Sequence, residues 1–345
     1  MLREFIFTWV ERYPEDEVVV AVPRAAGELA RSELGGQASV RTTRIFPHGL
    51  SNILELPFVA RRMRADIAVT HNFSPMMGKS AVFVHDFMFK SNPEWFTVKE
   101  RAYFALMPLS LPRASLVFTS TKTEARRVKM YGRRSSLPTD IGLGLGRELQ
   151  ASVASRPSSL PQSDEFVLAV GRLNIRKNLS MTIESALASG SITRLRPLVI
   201  VGEASGRGIN LSTAARDAQK DGTVVFLGQI SDSELKWLYE RARVFLFLTL
   251  DEGFGMPVLE SLSFATPMIV SDIPVFREIL GRSATYVDPL DGLAISQALK
   301  RELAQPRVGA SASHVLDYFT WDAAVDRMRN TILKDLNESN ITVRV

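Results

Sequence analysis

Short, continuous apolar runs recur along the chain, each closed by glycine, proline or a polar cluster. The first half carries them at 18–23 (VVVAVP), 67–70, 81–84 and 116–119. The second half carries them at 166–170, 197–201, 224–227, 244–248, 268–270 and 284–287. The runs do not alternate apolar with polar, which is the pattern of parallel strands buried on both faces. Between them the spacing becomes helical, as at 232–243 and 257–263. Strand–helix alternation of this kind predicts doubly wound α/β architecture. Ahead of the first run, Leu2, Phe5, Ile6, Trp9 and Val10 mark one face of a helix. The first domain therefore reads as lacking the opening strand and glycine-bearing turn with which such domains usually begin.

A chain of 345 residues is too long for one ordinary core, so two domains are expected. The segment 154–164 (ASRPSSLPQSD) is rich in proline and serine and has no apolar period, as a linker does. The expected division is a first domain at 1–153, the linker, a second domain at 165–312 and a terminal helical segment at 313–345. Two α/β domains joined in this way are expected to face each other across a ligand-binding cleft.

Composition narrows the setting. The absence of cysteine removes disulfides and thiolate metal sites and points to the cytoplasm. No apolar run approaches the roughly 20 residues of a spanning helix, and the first residues, with Glu4 among them, lack a signal-peptide build. Histidines at 48, 71, 85 and 314 are too scattered in sequence to suggest a metal cluster. The net charge of +5 is uneven: residues 1–153 hold 21 Lys and Arg against 15 Asp and Glu. The basic excess gathers at Arg61, Arg62 and Arg64, and again at Arg126, Arg127, Lys129, Arg133 and Arg134. Solvated helix faces explain such groups, and so does a surface meeting an anionic membrane or acceptor. Nucleic acid is not expected, because no aromatics interleave with the basic runs.

The stretch Asp251-Glu-Gly-Phe-Gly-Met-Pro-Val-Leu-Glu260 carries the chemistry. It follows an apolar run. Gly253 and Gly255 permit a turn and close approach by a ligand, and Pro257 suits the start of a helix. The N–H groups from Gly255 to Val258 then offer a phosphate site at a positive helix end. Glu252 and Glu260 flank that site. Carboxylates repel a phosphate and suit hydroxyls lying further out, which sugars and riboses supply. A second motif, Gly171-Arg-Leu-Asn-Ile-Arg-Lys-Asn178, also follows a strand. Its Arg172 and Lys177 can balance a diphosphate, a need made sharper by the lack of any Asp-x-Asp metal motif. The bland alternatives are a glycine turn with exposed glutamates and solubilising cations. Gly142-Leu-Gly-Leu-Gly146 lacks dinucleotide spacing and reads as a loop.

With "GRLNIRKNL" and "VVFLGQISDSELKWLYERARVFLFLTLDEGFGMPVLESLSFATPMIVSDIPVFREILG", the second half resembles the donor domain of GT-B glycosyltransferases of family 4 (group 1). The likeness extends back to "VFVHDFMFKSNPEWF" and "LPRASLVFTSTKTEARRV". It implies a retaining, metal-independent hexosyltransferase with a Glu-x7-Glu motif, Glu252 and Glu260, and with no cofactor beyond its nucleoside-diphosphate sugar. By resemblance, Glu252 contacts the transferred sugar with Gly253, Phe254 and Gly255, and Met256, Val258 and Leu259 complete the donor loop. Glu260 holds the ribose, and Arg172 and Lys177 bind the departing diphosphate. Gln229 and Ile230 meet the base. His85, and more weakly Asp86, lie near the reacting sugar. A front-face displacement fits the lack of an obvious carboxylate nucleophile. The implied acceptor is a glycan or lipid-linked glycan in surface polysaccharide synthesis, at the cytoplasmic side, with the first domain on the acceptor side and peripheral to the membrane. The donor expectation is GDP-mannose, ahead of a UDP- or dTDP-sugar. The terminal helix resembles one that crosses back onto the first domain. The alternatives are a GT-B sugar-nucleotide epimerase and an inactive nucleotide-sugar-binding homologue.

Overall fold

A computed structural model describes residues 2–133, 136–161, 163, 165–203, 211–309 and 313–337. Arg134, Gln162, Asp164 and the side chain of His314 fall outside the described residues. The strands are β1 (Val19–Pro23), β2 (Ser39–Thr43), β3 (Ala68–His71), β4 (Ser80–Val84), β5 (Leu116–Thr119), β6 (Thr139–Asp140), β7 (Val167–Val170), β8 (Leu198–Val201), β9 (Val224–Gly228), β10 (Val244–Phe247), β11 (Met268–Ser271) and β12 (Thr285–Val287). Every pairing between them is parallel. The continuous apolar runs are therefore strands, as their pattern predicts. β2 and β6 were not legible as runs. β2 reads Ser-Val-Arg-Thr-Thr, with only Val40 and Thr43 buried, and β6 has two residues. Both stand at sheet ends, where one covered face suffices.

The chain divides into two compact units, Met1–Gly144 with Phe319–Val345, and Leu145–Tyr318. The division falls at Gly144, and the segment 154–164 lies within the second unit.

In the first unit a two-stranded sheet, β1-β2, accompanies a four-stranded sheet, β3-β4-β5-β6. Phe73, Val82, Val84, Phe87, Met107 and Leu111 pack around the larger sheet. Val20, Leu34 and Val40 form a smaller core under Ile6 and Phe7 of the helix Leu2–Arg12. That helix precedes β1 directly. The terminal helix Trp321–Asn337 packs beside it: Trp321 meets Phe5 edge-on at 5.1 Å, and Arg12 Nη2 donates to Asp326 at 2.7 Å. Gly144 makes this passage possible, since a Cβ there would stand 2.3 Å from the Trp321 backbone nitrogen. Gly142 and Gly144 thus serve close packing against the terminal segment.

The second unit holds one six-stranded sheet in the order β12-β11-β10-β7-β8-β9. Ile183, Leu198, Val244, Leu246, Ile269 and Leu299 are fully buried against it. After β7 the chain moves outward through β8 and β9, then returns to pair β10 with the other side of β7, matching Phe245 with Leu168. The direction of winding therefore reverses between β7 and β10. Loops leaving the carboxyl ends of two such strands diverge and leave a crevice, the usual ligand position in this topology.

Candidate active site

The two motifs leave the sheet at that reversal point. The first follows β7 and forms a tight turn at Ile175–Lys177. Its entry is capped by Asn174, whose side chain accepts from the Lys177 N–H. Its exit is Asn178, held at φ 53° with its amide donating to the Pro289 carbonyl at 2.7 Å. The second motif latches onto this turn. The Leu250 N–H (2.8 Å) and the Thr249 hydroxyl (3.1 Å) both donate to the Arg176 carbonyl. Two loops far apart in sequence are thus tied into one rigid edge.

The latch places cations on Glu252. Lys177 Nζ donates to Oε1 at 2.6 Å, Arg176 Nη1 donates to Oε2 at 2.9 Å, and the Thr249 hydroxyl, its single proton shared with the Arg176 carbonyl, lies 3.1 Å from Oε1. Glu252 is 6% exposed, so a carboxylate there needs these partners. Burial alone would raise its pKa, but Lys177 and Arg176 outweigh burial and hold it below the ordinary value. Burial also lowers the Lys177 ammonium, against the pull of Glu252. The Lys177 ammonium further sits 4.4 Å from the centre of the Phe247 ring. Arg176 was missing from the candidates. The sequence shows three cations in one short loop, and which of them turns inward is decided by the latch at Thr249 and Leu250. Arg172 is exposed instead.

Gly255 caps the helix Met256–Ser263 at φ 92°, and a Cβ at that position would stand 2.6 Å from the Phe276 ring. Glycine alone fits both demands. Met256 opens the helix and Pro257 follows it, where a missing N–H costs nothing. Phe254, Val258 and Leu259 are buried, so a ligand would meet the backbone of this turn, with Gly253 and Gly255, more than its side chains. One turn on, Glu260 Oε2 accepts from the hydroxyl of Tyr239 at 2.9 Å. Burial pushes the Glu260 carboxyl up to about 6, and the Tyr239 bond only partly offsets that rise. Gln229, exposed, and Ile230, half-buried, form the turn between β9 and the helix Asp232–Arg241.

His85 belongs to the first unit, directly after β4. Its backbone N–H donates to the Asn72 side-chain oxygen at 3.0 Å. It is part of a histidine cluster that sequence distance conceals. His48 stacks on His71 at 4.3 Å, and His71 meets His85 edge-on at 5.4 Å. Burial lowers all three, His71 to about 3 and His85 to about 4. They are neutral bases at ordinary pH. Asp86 accepts from the Met88 N–H at 3.2 Å, an ordinary turn contact.

Comparison with known proteins agrees with this architecture. Residues 153–307, which lie within the second unit, match the family described as glycosyl transferases group 1. Among curated relatives, the O-antigen chain mannosyltransferase RfbU of Salmonella typhimurium is 29% identical over 68% of this chain and 64% of its own length. The chain covers less than two thirds of the length of the first curated relatives it matches. Among solved structures, sucrose-phosphate synthase of Thermosynechococcus elongatus superimposes with TM-score 0.66 at 16% identity, covering 94% of this chain and 100% of that one. Anabaena HepE in complex with UDP and glucose gives TM-score 0.63 at 15% identity, covering 95% of each chain. The fold is GT-B.

Proposed function

We propose that the chain is a retaining, metal-independent hexosyltransferase that moves mannose from GDP-mannose to a glycan or lipid-linked acceptor during surface polysaccharide synthesis. The observation that carries the chemistry is the clasp of Lys177 and Arg176 on buried Glu252 at the sheet's reversal point. Adjacent cations there can take up the charge of a departing diphosphate without a metal. When a diphosphate draws them away, the Glu252 carboxylate is released to accept from the sugar's hydroxyls. The turn at Gly253–Gly255 and the following helix start supply N–H groups to the same ligand. Glu260, held by Tyr239, takes the ribose hydroxyls. Retention follows in this reading from a front-face displacement, with the leaving phosphate accepting the acceptor's proton, so positioning and charge stabilisation do most of the work.

The donor sugar rests on the mannosyltransferase name of the curated relative. The place of His85 near the reacting sugar rests on the resemblance. Contact with an anionic membrane at the cytoplasmic face is supported by Phe46 and Phe58, both exposed, close in sequence to exposed Arg61, Arg62 and Arg64. Among the described residues, no helix is long and apolar enough to cross a membrane. The test is sugar transfer from GDP-mannose to a mannosylated acceptor glycan, with the anomeric configuration of the product read by NMR. An α-linked product supports the reading. An inverted product, or turnover only with a UDP- or dTDP-sugar, refutes the corresponding part.

A further inference from the structure

β4 ends at Val84, and the chain leaves it through His85, Asp86 and Phe87. Side chains from the segments after both neighbouring strands, β3 and β5, hold this turn. The His85 backbone N–H donates to the side-chain oxygen of Asn72, just past β3, at 3.0 Å. The Phe87 backbone N–H donates to Glu124 Oε1 at 2.9 Å. Glu124 stands in the first turn of the helix Lys122–Tyr131, which follows β5. Thr121 caps that helix by accepting from the Glu124 N–H at 3.1 Å, which fixes where the carboxylate leaves it. Glu124 Oε2 in turn accepts from Arg127 Nη1 at 3.0 Å. Within the held turn Phe87 is wholly buried, while His85 and Asp86 each keep a partly open face. The His85 ring is packed edge-on by Phe83 at 5.3 Å and by His71 at 5.4 Å.

Buried N–H groups need acceptors, but these two acceptors cost more than that need demands. Asn72 stands at φ 64°, where glycine would be unstrained. An asparagine there is explained by the oxygen it extends to His85. Glu124 is fully buried, and taking a carboxylate out of water is costly even when it is paired. A hydroxyl or a backbone carbonyl would satisfy a loop that needed nothing more. Local strain persists where the surrounding structure over-determines a geometry, and such places cluster at functional sites. We infer that Asn72 and Glu124 are positioning residues: they hold the turn of His85, Asp86 and Phe87 at the carboxyl end of β4, so that the His85 imidazole meets the reacting sugar in one orientation. This rests on the proposed function, which places His85 beside that sugar. The donor loops belong to the second unit, so loosening the turn slows the transfer step and leaves donor affinity in place.

The test uses the full chain with Asn72→Gly, which suits the backbone angle and removes the oxygen, and with Asn72→Asp, which keeps the oxygen. Hydrogen exchange is read at the His85 amide, and kcat and KM are measured with GDP-mannose and a mannosylated acceptor. In Asn72→Gly the His85 amide should exchange about tenfold faster or more. Its kcat should fall about 10- to 100-fold, with the donor KM and the melting temperature little changed. Asn72→Asp should restore slow exchange and most of the rate. Glu124→Met, which removes the acceptor for Phe87, should lower kcat in the same way, and Glu124→Gln, which keeps one, should retain most of it. Where Glu124→Met unfolds the first unit, the Asn72 pair decides. An unmoved His85 amide, or a freed amide with unchanged kcat, overturns the inference. So does a loss of rate that Asn72→Asp fails to restore, or one that simply follows the melting temperature. If the unaltered chain transfers sugar from no nucleotide donor, the proposed function fails and this role falls with it. A normal rate in the unaltered chain that Asn72→Gly leaves intact removes this role alone.

Discussion

Glu252 and Lys177, 75 positions apart in sequence, meet at 2.6 Å in a site where the carboxylate is almost wholly buried. Removing one partner of a buried pair typically costs about 3–5 kcal/mol when the other charge is left uncompensated; here Arg176 still donates to Glu252 Oε2 at 2.9 Å, so the loss falls below that range. Lys177→Ala should therefore destabilise the second unit as well as weaken donor binding. Glu252→Gln combined with Lys177→Met should recover much of that stability. Denaturant unfolding of the single and double variants checks the coupling. Losses that simply add would show that the contact carries no coupling energy.

Glu260 gives a pH-dependent signature. Its carboxyl is raised to about 6 from an ordinary 4.5, chiefly by burial. A raised folded-state pKa favours the protonated form, so this contribution to stability is fully present below 4.5 and is lost as pH rises through about 6. Glu260→Gln keeps an acceptor for Tyr239 and removes the half-buried charge. It should stabilise the protein by about 1–2 kcal/mol at pH 8 and by nothing near pH 4. Thermal unfolding across that range checks it, and an equal effect at both pH values would exclude burial as the cause.

The histidine cluster titrates in the opposite sense. His71 is lowered to about 3 by burial and by the charges of His48 and His85, and His85 is lowered to about 4. The unfolded chain therefore takes up protons first. Stability held above pH 6.5 should fall as the pH drops toward 4. His71→Gln should flatten that decline. NMR titration of the imidazole resonances provides the direct check, with His71 and His85 remaining neutral at pH 6.

Gly255→Ala should cost about 1–3 kcal/mol, because φ 92° and the Phe276 ring both exclude a Cβ. Gly146→Ala, with no neighbour within 4 Å of the added Cβ, serves as the control. Melting temperatures of the two variants separate a local backbone demand from general loss of glycine.

Most of the sheet was legible because strands such as Val167–Val170 and Val244–Phe247 are covered on both faces, and the residues filling them are apolar without interruption. β2 escaped because it needs cover on one face only, and its Arg41 and Thr42 are exposed. The positions of Glu252 and Gly255 could be read from a glycine turn between a strand and a helix. Arg176 could not, because its inward turn depends on a carbonyl latch to Thr249 and Leu250 that no local spacing encodes. The histidine cluster was hidden for the same reason. His48, His71 and His85 come from three separate segments, and only the fold stacks them.

The central claim is that the edge built by Glu252, Lys177, Gly255 and Glu260 holds a nucleoside diphosphate. The most direct measurement is the thermal shift of the full chain against GDP, UDP, dTDP and ADP without added metal, repeated with Glu260→Gln, whose fold is expected to be intact. A nucleotide present at a hundredfold its dissociation constant contributes about 2.7 kcal/mol. The account predicts that GDP alone raises the melting temperature and that Glu260→Gln diminishes the rise. An equal response to all four nucleotides, or a GDP response unchanged by Glu260→Gln, would contradict it.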